Sequence, residues 1–337
     1  MKKVFFIFLL LVVPYIHCFD VLASNRVTIV TIGGSGESVN AGSERDYQKL
    51  VDRVVDYWKR EFNKVMVYEP DLIVLTEDCD RPSGLNKKEQ SDYYKVRDNQ
   101  ITNYFASVAK ENRCYIAFGI KHELDGFWRN SCIILDREGK VAGMYHKHFP
   151  TIDEIEDEIR AGTETTLIQC DFGSVGCAIC FDLNFGELRE RYVALKPDII
   201  LFPAAYHGGL AQRLWAYACR SFFVGAIGPL GCPSEIRNPL GEVVASSTNY
   251  YNYAVATVNL DRKMAHLDYN WGKLTALKKK YGDKVVIADP GYLGSVLITS
   301  EHDRISAEEM IKEFNIELLD DYFERARQSR FQQLKTN

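Results

Sequence analysis

Apolar residues along this chain gather in short runs rich in β-branched and aromatic side chains, set apart by longer mixed stretches. The runs predict buried strands over 27–32, 72–75, 115–120, 131–135, 141–145, 165–170, 175–179, 199–202, 222–227, 234–237, 242–245 and 254–259. Helices are predicted over 43–63, 93–112, 187–195 and 212–221, the first opened by a Ser43-Glu44-Arg45-Asp46 capping box. Asp136-Arg137-Glu138-Gly139 reads as a hairpin turn and 78–91 as a polar loop. Helices alternating with mixed strands predict an α/β fold whose helices cover both outer faces. Gly33-Gly34-Ser35-Gly36 is a flexible turn. It is not a phosphate loop, because no Gly-Lys-Ser/Thr follows it and the dinucleotide glycine spacing is absent.

Three of the runs end on a reactive residue. Leu72-Ile73-Val74-Leu75-Thr76-Glu77 delivers a carboxylate, Gly143-Met144-Tyr145-His146-Lys147 an ammonium, and Val175-Gly176-Cys177-Ala178-Ile179-Cys180 a thiol. Strand ends meet at one edge of a sheet, where sites form. A thiol attacks as thiolate; a neighbouring Lys favours that form and a carboxylate can take the proton. The same Lys, with the backbone N–H of Phe181, can hold an oxyanion. Glu77 can return the proton to a leaving amine. Together these groups suit splitting an amide, or hydrating a nitrile, through a thioester, with no metal or cofactor.

At this point the chain resembles the nitrilase (carbon–nitrogen hydrolase) superfamily, whose signature blocks carry Glu, Lys and Cys in this order. Asn130 to Val141 looks like the family's hairpin before the Lys, and Cys180-Phe181-Asp182-Leu183-Asn184 like its nucleophile block. Ile200-Leu201-Phe202-Pro203-Ala204-Ala205 and Asn238-Pro239-Leu240-Gly241 look like later blocks. The resemblance implies a four-layer αββα sandwich and a Glu77–Lys147–Cys180 triad. It implies a helper, substrate-positioning glutamate at Glu158, with Glu154 as its rival. Glu187, Tyr206, His207 and Trp215 are candidate pocket residues. Family members often carry Arg-Ala-x-Glu-Asn where this chain reads Trp215-Ala216-Tyr217-Ala218-Cys219, a departure that removes no catalytic group.

Composition narrows the rest. A net charge of −5 without a basic cluster argues against a nucleic-acid binder. Met1-Lys2-Lys3, an apolar stretch over 4–13 and Val21-Leu22-Ala23 read as a signal peptide over 1–23, predicting export and a mature start near Ser24. The apolar stretch is too short to span a bilayer, so no stable membrane span is expected after cleavage. Nine cysteines with irregular spacing form neither a disulfide framework nor a zinc pattern. Cys177 and Cys180 would face opposite sides of a strand, beyond disulfide reach. His146 and His148 would share one face but lack a third ligand, so no metal is expected. Asp182 reads as a strand-end or helix-cap residue.

The hydrolase domain is expected over 24–262, with 263–337 an extension that packs on it or on a partner subunit. Ile311, Phe314, Leu318 and Tyr322 recur at helical steps and predict an apolar stripe. By resemblance, the helices over 187–195 and 212–221 would form the two-fold contact of a homodimer or larger homo-oligomer. The partner expected at the site is a small-molecule amide or nitrile. A carbamoyl or ureido substrate suits the same triad. The alternatives are a non-catalytic binding or scaffold member of the fold, and an N-acyltransferase using the same thioester.

Overall fold

The structure, a computed structural model, describes residues 25–34 and 38–335. The predicted leader over 1–23, the expected mature start at Ser24, and Ser35 and Gly36 of the glycine turn lie outside the described residues. Two six-stranded sheets stack face to face. The first is built from β1 (Arg26–Ile32), β2 (Leu72–Val74), β3 (Tyr115–Leu124), β4 (Phe127–Leu135) and β5 (Val141–His146), in spatial order, with β12 added outside β1. The second runs from β6 (Ile168–Cys170) through β7 (Gly173–Cys177), β8 (Ile199–Ala204), β9 (Phe222–Ile227) and β10 (Glu235–Arg237) to β11 (Val243–Ser246). Strand β12 spans Tyr253–Asn259. The pairs β1–β2, β2–β3, β7–β8 and β8–β9 are parallel, so the ends of β2, β7, β8 and β9 can gather at one edge of the sandwich.

The two-residue period of the strands sorts side chains between layers. Val27, Ile29, Leu72, Val74, Ala117 and Ile134 point into the core between the sheets. Val30, Ile32, Ile73, Leu75, Phe118 and Leu135 point the other way, onto a helical layer. Burial on both faces is why these strands read as continuous apolar runs rather than alternating ones. The first helical layer is α1 (Tyr47–Val65), α2 (Lys87–Arg97) and α3 (Gln100–Asn112); a short α4 (Ile152–Glu156) follows β5. The second sheet is covered by α5 (Gly186–Leu195) and α6 (Leu210–Cys219), which pack Leu188, Tyr192, Trp215 and Ala216 against it. The architecture is the four-layer αββα sandwich.

Three boundaries differ from the sequence reading. The first helix starts at Tyr47, not 43: Asp46 is the N-cap and accepts from Lys49 N, while Glu44 bonds the N–H groups of Arg45 and Asp46 before the helix begins. The helix expected over 93–112 is two, broken at Asp98, whose φ of 41° cannot continue a helix. The loop over 78–91 ends early, at an Asn86–Glu89 capping box that opens α2.

Residues beyond 261 form a separate layer. A three-stranded sheet of β13 (Arg262–His266), β15 (Ser295–Ser300) and β14 (Val285–Ala288) packs against α7 (Trp271–Tyr281) and α8 (Ala307–Glu313) around its own apolar cluster. The predicted stripe is divided. Helix α8 stops at Glu313, Asn315 takes a φ of 48°, and α9 (Leu319–Lys335) starts afresh. Ile311, Phe314 and Leu318 join the small core, while Tyr322 stacks on His266 at 4.0 Å. This layer rests on α6: Tyr217 Oη and Ser295 Oγ are 3.2 Å apart, Arg220 pairs with Asp320 at 3.0 Å, and Arg213 lies over the Tyr292 ring. Among the described residues no helix is long and apolar enough to cross a membrane.

Candidate active site

Glu77, Lys147 and Cys180 meet at the strand ends. Glu77 is the third residue after β2. Its chain lies so close to β3 that a Cβ on Gly119 would stand 2.7 Å from Glu77 Cα; only glycine admits this approach. Lys147 leaves β5 with its N–H on Asn130 O at 2.9 Å and its own carbonyl accepting from Gly162 N. Its Nζ sits 2.8 Å from Glu77 Oε1 and 2.8 Å from Glu154 Oε2, with the side chain only 2 % exposed. The far oxygen of Glu77 accepts from Ala205 N at 3.1 Å.

Cys180 opens a single 3-10 turn, Cys180–Asn184, directly after β7. Its φ of 48° is a left-handed conformation that costs a non-glycine residue energy, a strain that clusters where geometry matters. The turn is pinned by Asp182. This buried carboxylate accepts from Ile179 N (2.9 Å), Phe149 N (2.8 Å) and Tyr145 Oη (2.8 Å), tying the thiol's turn to the segment that carries Lys147. It serves the turn, as the sequence reading expects, and burial raises its pKa to about 6 against those three donors.

The electrostatics are those of a neutral thiol beside a charged cluster. Burial, reinforced by the Glu77 charge, pushes the Cys180 thiol up to about 12, and Lys147 and the Ala205 N–H offset only part of this. Burial would lower the Lys147 pKa, but Glu77 and Glu154 hold it above the ordinary lysine range. Burial raises Glu154, and Lys147, the Thr151 N–H and Asn130 together more than reverse it, leaving that carboxyl low. At neutral pH Cys180 therefore rests protonated, next to a carboxylate able to accept its proton.

Glu154, not Glu158, is the second glutamate at Lys147. Thr151 caps α4 and Glu154 is the third residue after it, so its carboxylate reaches back to Thr151 N at 2.9 Å and, from there, to Lys147. Glu158 lies past the helix end at a φ of 62°, exposed, on a separate cleft with Lys87, Tyr94 and Trp128. The signal was legible: Thr151-Ile152-Asp153-Glu154 is a capping-box sequence. Asn130, read only as the head of a hairpin strand, sits between the two glutamates, donating to Glu77 Oε1 at 2.8 Å and Glu154 Oε1 at 2.7 Å.

The candidate pocket residues separate. Tyr206 is beside the thiol: burial, then the Cys180 charge, push its hydroxyl to about 12, and it accepts from Asn184 Nδ2. Trp215 is wholly buried and donates to Leu183 O at 3.0 Å, which makes it part of the core under the nucleophile turn rather than pocket lining. Glu187 is exposed in the first turn of α5. His207 lies 3.2 Å from Glu235. Phe181 is partly exposed, edge-on to Phe185. A cavity of about 200 Å³ opens beside Glu77, lined by Val39, Val54, Tyr57, Trp58, Asp78 and Arg81. His146 bonds Ser131 Oγ and His148 bonds Thr165 Oγ1, so the pair does not converge. Cys177 is buried against Cys132, and both are free thiols.

Comparison with known proteins places the chain in a family. Residues 38–267 match the family model described as carbon-nitrogen hydrolase. Nitrilase homolog 2 of Dictyostelium discoideum is 24 % identical over 217 residues, 56 % of this chain and 65 % of that protein, just under two thirds of its length. Omega-amidase NIT2 of Bos taurus is 24 % identical over 220 residues, 58 % of this chain and 79 % of that one. Among solved structures, the C. elegans NitFhit protein superposes with a TM-score of 0.60 at 16 % identity, covering 87 % of this chain and 98 % of that one. An amidase from Nesterenkonia sp. gives 0.58 at 14 %, covering 78 % and 98 %. At these identities the structural likeness speaks for the fold.

Proposed function

The chain belongs to the carbon–nitrogen hydrolase family of the nitrilase superfamily, and on that premise we propose that it hydrolyses a small-molecule amide through a thioester on Cys180. The observation that carries the reading is the buried lysine bridging two carboxylates at 2.8 Å beside a protonated thiol in a strained turn. Glu77 takes the thiol proton as sulfur attacks the carbonyl carbon. The oxyanion is held by Lys147 and by the Phe181 N–H. Glu77 then protonates the amine as the C–N bond breaks, leaving an acyl-thioester. Water, deprotonated by Glu77, attacks that thioester; the acid leaves and the thiol regains its proton. Lys147 stays charged throughout, since Glu154 remains a carboxylate on it while Glu77 carries the proton. A nitrile, carbamoyl or ureido compound suits the same groups; amide is preferred because an amidase and an omega-amidase are among the relatives.

Ammonia release from a panel of small amides, nitriles and ureido compounds tests this, with mass spectrometry for an acyl adduct on Cys180. Cys180→Ala is expected to keep the fold and lose turnover and adduct alike. Appreciable ammonia from that variant overturns the thioester route, and no turnover of any panel member by the parent favours the scaffold alternative.

We further propose export and a homodimer. Export rests on the leader pattern, and N-terminal sequencing from the native host tests it: a start at Met1 in a cytosolic fraction refutes it. The dimer is supported by exposed Leu210 and Leu214 on α6 and by Phe331 and Leu334 on the far end of α9. The α6 face carrying Tyr217 and Arg220 is taken by the chain's own extension, which confines the contact to the remaining surface. Light scattering that finds a monomer at micromolar concentration refutes it.

A further inference from the structure

Two carboxylates share one buried ammonium at the site, which brings Glu77 and Glu154 close together away from water. Glu77 and Glu154 both reach Lys147 at 2.8 Å. Lys121, the next cation, stands 3.7 Å from Glu154 and 3.4 Å from Asp78, outside hydrogen-bond range of the glutamate. Like charges this close oppose each other's ionisation unless something between them donates. Asn130, 1 % exposed, occupies that place. Its Nδ2 bears two N–H groups and lies 2.8 Å from Glu77 Oε1 and 2.7 Å from Glu154 Oε1. The opposite amide orientation would set a carbonyl oxygen against two carboxylate oxygens, so the contacts themselves assign the nitrogen. Its Oδ1 is buried without a partner among the described residues, so the amide is committed to donation at a cost. Its backbone carbonyl takes the Lys147 N–H at 2.9 Å. One residue thus touches both carboxylates by its side chain and the lysine by its backbone.

We infer that Asn130 is a positioning residue for the reaction proposed above: a neutral double donor that keeps both glutamates ionised on Lys147 and so keeps Glu77 ready to take the Cys180 proton. The inference rests on that reading for its meaning, not for its test. The groups facing the pair are known. Lys147, Asn130, the Ala205 N–H and Cys180 face Glu77; Lys147, Lys121, Asn130 and the Thr151 N–H face Glu154. Asp78, bonded to Arg81 at 3.0 Å, lies alongside.

The experiment compares the parent with Asn130→Asp and Asn130→Ala. It measures kcat and KM for an amide across pH, and the pH-dependence of Cys180 alkylation by iodoacetamide, read by mass spectrometry. Asn130→Asp replaces the donors with a third carboxylate. It is expected to lower kcat about 10²-fold or more with little change in KM. It should also move the acid limb of kcat/KM, and of the alkylation profile, upward by about one pH unit. Asn130→Ala, neutral and smaller, should move both limbs the same way by less. Limbs unmoved in folded Asn130→Asp overturn the inference. If that variant does not fold, limbs unmoved in Asn130→Ala do so. Should the parent turn over no amide, the hydrolase reading fails, and the alkylation limbs still decide the role of Asn130.

Discussion

The strand-end site and the C-terminal layer use charge in opposite ways. At the site Lys147, Glu77, Glu154, Asp182 and Asn130 are buried or nearly so, and each side chain makes two or more polar contacts. In the layer beyond 261 the ion pairs Arg325–Glu317, Lys280–Glu313 and Arg327–Glu324 lie on the surface over a largely apolar core. Buried pairs are costly to assemble and costlier to break, while exposed ones contribute little. At the site one shared ammonium ties the buried carboxylates into a single arrangement, a constraint the exposed pairs do not impose.

Substitutions can break that contrast. The largest effect is expected from Lys147→Ala, which strands two buried carboxylates. Turnover should fall by about 10²–10³ or more, and urea unfolding should show a loss of about 3–5 kcal/mol. A near-normal rate would mean the ammonium is not part of the chemistry. Next is the pair of glutamates. Glu154→Gln should cost about 10²-fold in rate by releasing Lys147, while Glu158→Gln should leave the kinetics unchanged; the reverse ranking would return the helper role to Glu158.

Asp182→Ala should come third, through stability: three donors lose their acceptor, at about 2–4 kcal/mol in all. The pH-dependence sharpens this. Burial raises the folded Asp182 pKa to about 6, above its unfolded value near 4. The protonated group's contribution is therefore fully present below about pH 4 and lost as pH rises through about 6. Asp182→Asn should flatten the stability curve across that window; an unchanged slope would assign it to other groups. The smallest effect is expected from Arg325→Ala, whose bond to Glu317 at 2.7 Å is half in solvent. Thermal unfolding should register little or no change in Tm, and a clear loss would mean that α9 is braced by this pair rather than by Leu319 and Phe323.

Much of this was legible along the chain. Continuous apolar runs such as Ile73–Leu75 and 115–120 predict strands buried on both faces, and two cores receive their alternate residues. Runs ending on Glu77, Lys147 and Cys180 predict a meeting at one sheet edge, and those residues do meet. Less was legible where a local rule had rivals. Ser43, Asp46 and Glu44 all offer capping chemistry, and Asp46 prevails because the helix is entered later. The stripe through Ile311 and Tyr322 keeps helical spacing across a break that packing on β13 and β15 imposes.

The sequence by itself determined the strands of the two large sheets and the α/β class, because the two-residue period and apolar run length act locally, while the three strands beyond 261 escaped it. Only the tertiary structure decided which polar groups touch. Glu77, Asn130, Lys147, Glu154 and Cys180 are far apart in sequence, and their distances depend on how β3, β4 and β7 stack and register. So Glu154 displaced Glu158, Trp215 went to the core, and Asn130 stood between two carboxylates. Each was settled by a few ångströms across sheets, a distance that spacing along one strand does not encode.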